Sequence, residues 1–293
     1  MASTTTTSSF NVHSPKDIAE MIRLRDFRLL QREASTLLSQ AVKGDQGSDD
    51  LSEDVGEYLV EDRVDNQDRV VLVQFDPGNQ QLASVVTAQS GGKMLRVTQT
   101  QEGQTIEESS FGKKRTIVYN LSSGQVTETN VQEQEPVGGG PVRLLDSEMS
   151  INVHDPKTPA EMFLLRDFRK EQKTVHDWLA TAVQPANQGN NLSETAGEYM
   201  CLDPRTSNRA EQVILVQFDP TDQDKLTNFR RSTHDEMHVC QPDPENPNKT
   251  LFEGRRQDWR GPGQRSMRYD PETGNLNYQV DKGWLEQIKN RRD

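Results

Sequence analysis

The feature that most constrains this chain is an internal duplication. Asn11-Val12-His13-Ser14-Pro15-Lys16 recurs 141 residues later as Asn152-Val153-His154-Asp155-Pro156-Lys157, and Leu24-Arg25-Asp26-Phe27-Arg28 returns as Leu165-Arg166-Asp167-Phe168-Arg169. Over Phe10–Gln31 and Ile151–Gln172, 14 of 22 positions are identical, far beyond chance. The offset holds at 141 through Gly56-Glu57-Tyr58 and Gly197-Glu198-Tyr199, is 143 at Val73–Pro77 and Val216–Pro220, and reaches 150 at Tyr119–Gly124 and Tyr269–Gly274. Insertion confined to turns is what a folded unit tolerates when it is copied. The reading is a disordered Ser/Thr-rich tail at 1–9, a first module at 10–135, a Gly/Pro-rich linker at 136–150 and a second module at 151–293.

Within a module, periodicity separates two kinds of structure. Asp17-Ile18-Ala19-Glu20 and Thr158-Pro159-Ala160-Glu161 have the spacing of capping boxes, where an N-cap oxygen accepts the N3 amide and the glutamate reaches back. Behind them the stripe Leu24, Phe27, Ala34, Leu37, Leu38, Ala41, matched by Leu165, Phe168, Val175, Trp178, Leu179, Ala182, repeats every 3.6 residues. Period two then takes over at Gly56–Val60, Arg69–Phe75, Leu82–Ala88, Lys93–Gln99, Thr105–Ser110 and Thr116–Gln132, the last a hairpin turning at Ser122-Ser123-Gly124. This predicts an α+β class: in each module a long N-terminal helix packed on a curled antiparallel sheet of four to six strands, either a cystatin-like roll or a small lipocalin-like barrel. No βαβ alternation is present, which argues against a doubly wound nucleotide-binding fold.

Composition narrows the partners. The net charge is −12 and the mean hydropathy −0.87, with 6% aromatic residues. Such a chain builds thin cores, and its charge opposes binding to polyanions or anionic lipid unless a basic patch overrides it. No basic leader or apolar run begins the chain, so no membrane insertion is expected. Cys201 and Cys240 both lie in the second copy without counterparts in the first, which favours reduced thiols and a cytoplasmic setting.

Three constellations carry candidate chemistry. His234, Glu236, His238 and Cys240 alternate along a predicted strand and are transition-metal ligand types on one face, although the first copy has no equivalent and the spacing of nearly 7 Å suits one ion poorly. Arg25 and Arg28, with their copies Arg166 and Arg169, sit three apart on the helix, where they either clamp an anion or pair with nearby carboxylates. Arg256, Trp259 and Arg260 mix guanidinium and indole, a pattern suited to a protein interface more than to nucleic acid in so acidic a chain, and Trp284 sits in a short terminal amphipathic segment.

No catalytic order of serine, histidine and acid, and no cofactor motif, appears in both copies. The expectation is a non-enzymatic binding or assembly protein, needing no cofactor, whose two modules give bivalent or pseudo-twofold attachment to a protein partner or to itself. The alternative is a carrier or lyase-like protein with a small apolar ligand between helix and sheet, lined by Phe27, Tyr58 and Phe75 or by Phe168, Tyr199 and Phe218. A metal-dependent enzyme using His234 and His238 ranks last.

Overall fold

The computed structural model describes residues 4–43, 56–64, 66–76, 81–110, 112–132, 148–183, 197–202, 213–219, 221–232, 236–258, 261–281 and 283. In the first repeat the elements run β1 (Thr4–Asn11), α1 (Ile18–Lys43), β2 (Glu57–Val64), β3 (Gln67–Phe75), β4 (Leu82–Gln89), β5 (Met94–Thr100), β6 (Gly103–Ser110), β7 (Lys113–Asn120) and β8 (Gln125–Gln132). The second repeat has β9 (Glu148–Asn152), α2 (Pro159–Val183), β10 (Glu198–Leu202), β11 (Val213–Asp219), β12 (Asp222–Ser232), β13 (Glu236–Pro242), β14 (Thr250–Asp258), β15 (Gly261–Asp270) and β16 (Asn275–Val280).

These elements overturn the expected α+β class. The described chain is mostly β, with two eight-stranded antiparallel sheets ordered β1-β8-β7-β6-β5-β4-β3-β2 and β10-β11-β12-β13-β14-β15-β16-β9. Neither repeat opens on its helix: a strand comes first and lies beside the last strand of the same repeat. Eight strands exceed the four to six expected of a roll, and no pairing joins β1 to β2 or β9 to β10 among the described residues, so the sheets are open rather than barrels. The residues placed in a disordered tail are strand from Thr4 onward, in register with β8 from Thr4↔Gln132 to Asn11↔Gln125. Thr-rich sequence is good strand material even where no apolar alternation advertises it.

The registers show how closely the duplication is kept. In the first sheet Val73, Val85, Val97, Ile106, Ile117 and Glu128 stand opposite one another across successive strands. In the second sheet the same ladder reads Val216, Phe229, Cys240, Phe252, Met267 and Tyr278. The apolar rungs of this ladder, with Phe10 and Val126, pack with Phe27, Leu30 and Ala34 of α1 in the core of the first repeat. Fully burying a ring such as Phe27 stabilises by about 1.5–3 kcal/mol.

Each helix starts at its cap. Glu20 N donates to Asp17 Oδ1 at 2.8 Å and Glu161 N to Thr158 Oγ1 at 3.2 Å, while the two glutamates accept from Lys16 N and Lys157 N at 2.6 Å, one residue earlier than a standard capping box. The chain divides into two compact units, Met1–Leu144 with Lys157–Arg166, and Leu145–Pro156 with Asp167–Asp293. No described helix is long and apolar enough to cross a membrane.

Candidate functional site

A buried cluster of charge sits in the core of the second unit. Position 171 on α2 corresponds to Leu30 of α1, and position 238 on β13 corresponds to Leu95 of β5, both core leucines in the first repeat. The second repeat has Glu171 and His238 there, 9% and 8% exposed. His238 Nδ1 lies 2.8 Å from Glu171 Oε1, and His238 Nε2 lies 3.3 Å from Glu236 Oε1 on its own strand. Arg265 of β15 donates from Nη2 to Glu171 Oε2 at 2.5 Å. The Trp178 ring meets the imidazole edge-on at 5.6 Å and stacks on Phe229 at 5.8 Å.

The electrostatics follow from this packing. Burial pushes the Glu171 carboxyl upward, but the hydrogen bond from His238 and the charges of Arg265 and His238 outweigh it and hold the group below the usual carboxylate range. Burial alone would lower His238, yet its bonds to Glu171 and Glu236 raise it above the ordinary imidazole value. The Cys240 thiol is pushed up to about 12 by burial and by the charge of Glu171. Cys240 is a free, buried thiol and stays protonated, the opposite of an activated ligand or nucleophile.

The predicted metal face therefore points into the core. Glu236, His238 and Cys240 lie on β13, but among the described residues no three His, Cys, Asp or Glu side chains are gathered as ion ligands. His234 lies outside the described residues, as do Trp259, Arg260 and Trp284, while Arg256 is described only as part of β14.

The helix arginines do not form a common clamp. Arg25 pairs with Asp26 at 2.7 Å in an exposed position, and Arg28 Nη1 donates to Gln31 at 2.7 Å with its guanidinium 5.7 Å from the Phe27 ring. Arg169 repeats the second arrangement, bonding Gln172 at 2.8 Å, and is 2% exposed. Arg166 stands 3.9 Å from Glu61, both in the first unit.

The proposed ligand-pocket residues pack as rings on one another and on their neighbours. Phe27 packs on Tyr119 at 5.3 Å and Phe10 at 6.4 Å, and Phe168 on Tyr269 at 4.9 Å and Phe252 at 5.6 Å. Tyr58 and Tyr199 meet Phe75 and Phe218 edge-on, at 5.6 Å and 6.0 Å, and Phe75 packs against the same core as Phe27. Tyr58 is itself exposed.

A surface feature is present that the shared core stripe conceals. Ile18, Met21, Ile22 and Leu29 are 80%, 54%, 48% and 54% exposed. At 3.6 residues per turn they lie on the side of α1 opposite Phe27, Leu30 and Ala34, and with Pro15, Lys16, Asp17 and Arg25 the first three line a shallow open hollow. The matching α2 residues, Met162 and Phe163, are 0% and 2% exposed. They belong to the first unit, in which the outward side chains of β2–β4, Leu59, Val70, Leu72 and Val86, are buried as well. In the second unit the residues homologous to three of those four, Met200, Val213 and Leu215, are only half-buried.

No protein-family model matches this chain, and no curated protein or solved structure matches it either.

Proposed function

We propose that this is a non-enzymatic assembly protein whose first docking partner is a second copy of itself, bound through the outward stripe of α1. The observation that carries the reading is the contrast between repeats. One face of the repeated helix is buried at Met162 and Phe163 and exposed at Met21 and Ile22. The first unit also buries the outward residues of its sheet, while the second leaves the homologous apolar residues half-covered. One chain thus exposes the helix stripe in one repeat and only half-buries apolar residues on the sheet face of the other. A second copy supplies both complements, and apolar area of this kind is the usual core of a protein interface.

Light scattering on the full chain across a concentration series tests this. The expected result is a mass that rises above the 33.2 kDa of the monomer and returns to it in Met21→Glu/Ile22→Glu. A native chain that stays monomeric into the high micromolar range overturns the reading, as does undiminished association in a variant whose circular dichroism is native.

A further inference from the structure

We infer that the outer edge of β1 is a docking edge for an extended, acidic segment of another protein, which adds to the sheet of the first unit as one more strand. β1 ends its sheet: it pairs with β8 on one side, and no described strand lies on the other. From Thr4 to Phe10 its outward amides and carbonyls have no hydrogen-bond partner among the described residues. Sheet edges avoid unwanted pairing through charge, proline, bulges or shortness. The other three edges use such devices, since β2 carries Glu57, Glu61, Asp62 and Arg63, while β9 and β10 have five residues each and begin on Glu148 and Glu198. β1 has eight residues with no charge, proline or glycine, and its register with β8 is unbroken.

The charge of the partner follows from the corner of the sheet beside this edge. α1 crosses the sheet on a slant, with Phe27 against Phe10 and Tyr119, and with Glu33, further along, bonded to Lys93 just before β5. The slant leaves open the ends of β1, β8, β7 and β6 remote from Phe10. There two rungs, Thr6, Asn130, Arg115 and Glu108, then Thr4, Gln132, Lys113 and Ser110, line a hollow of about 470 Å³. The carboxylates around it are already matched: Arg115 pairs with Glu128 at 2.9 Å, Lys114 with Glu107 at 3.0 Å and Lys93 with Glu108 at 3.4 Å. Lys113 is exposed and meets no carboxylate among the described residues, so the hollow offers a positive charge in a chain whose net charge is −12. A strand added to β1 lies three strand spacings from β7, about 14 Å. Lys113 and a glutamate of the added strand reach toward each other across that gap.

The second repeat does not carry this corner. Lys113, Glu108 and Asn130 correspond there to Gly263, Gly254 and Val280, and β9 starts only at the counterpart of Thr7. The docking edge therefore belongs to the first unit alone, and it is separate from the α1 stripe. In such strand addition the main-chain hydrogen bonds supply most of the affinity, and alternate side chains supply the selectivity. Here the side chains of the guest that lie over the hollow are the ones that favour carboxylates.

A fluorescein-labelled peptide of alternating threonine and glutamate, matched to β1 in length, tests this by fluorescence anisotropy with the full chain. The chain carries Met21→Glu/Ile22→Glu, so that association through the α1 stripe neither assists nor obscures the result. The expected outcome is saturable binding with a Kd of about 100 μM or lower. Lys113→Glu, a change at an exposed side chain, is expected to weaken binding about fivefold or more. N-methylation of the peptide's backbone amides, which removes its donors and leaves its charge, is expected to weaken it about tenfold or more. Amide exchange of the saturated complex is expected to slow at Thr4–Phe10. The docking edge is overturned by the absence of binding at about 1 mM peptide. It is overturned equally by undiminished affinity in the N-methylated peptide or in one of alternating threonine and lysine, or by protection that leaves β1 unchanged.

Discussion

Glu171 and His238 put polar, charged side chains where the first repeat buries Leu30 and Leu95. His238→Leu alone is expected to destabilise the second unit by about 3 kcal/mol, because the buried Glu171 carboxylate keeps Arg265 but loses its imidazole partner. The double change to leucine is expected to recover part of that loss, because it removes the two most deeply buried members of the cluster while Arg265 and Glu236 stay at its edge. Urea unfolding followed by tryptophan fluorescence measures both, and a double variant no more stable than the single one would refute the coupling. Sequence reading finds His238 only as an alternating strand residue, since its partner lies 67 positions away and only the fold brings the two together. The repeated Asn-Val-His ties the start of each repeat to its last hairpin turn. Asn11 Nδ2 donates to Ser123 O at 2.9 Å, His13 N donates to Asn11 Oδ1, and the His13 ring abuts Gly124, whose φ of +67° suits glycine. The second copy does the same with Asn152, His154 and Gly274.

At the scale of elements, the opening strand is the piece that periodicity does not reveal. Thr4–Ser9 has no alternation of apolar and polar residues, and its place beside β8 is set by backbone pairing, which leaves no mark in composition. Deleting residues 2–9 is expected to expose the outer edge of β8 and to raise amide exchange at Thr127–Gln132 at least tenfold, with much less change in β3 and β4. Unchanged protection at β8 after the deletion would show that the pairing contributes nothing to the unit. The helices and most strands were legible because each repeats its pattern in two copies. The strand total was not, because strand count depends on how far a sheet extends before it stops, and no local signal encodes that. The outward stripe of α1 was present in the sequence as a second 3.6-residue phase at Ile18, Met21, Ile22 and Leu29. It is masked there by the stronger stripe that both copies share.

For the whole molecule, the proposed contact joins unlike faces, the α1 stripe of one copy and the outer sheet face of the next. Unlike faces do not saturate at a pair unless the rotation closes a ring. The weight-average mass is therefore expected to keep rising with concentration instead of levelling at two copies. Met21→Glu/Ile22→Glu chains, which keep the sheet face but lose the stripe, are expected to cap growing assemblies and to lower their mass when mixed with the native chain. A plateau at the dimer, insensitive to the variant, would point to a symmetric contact elsewhere.

The neighbouring position of first and last strands has a consequence for how the chain is made. Thr4 finds its partner at Gln132, so the opening strand leaves the ribosome more than a hundred residues before there is anything for it to pair with. A long closure of this kind is slow and comes late. The polar Thr and Ser run suits that wait, because an early strand rich in apolar residues would be exposed to aggregation while synthesis went on.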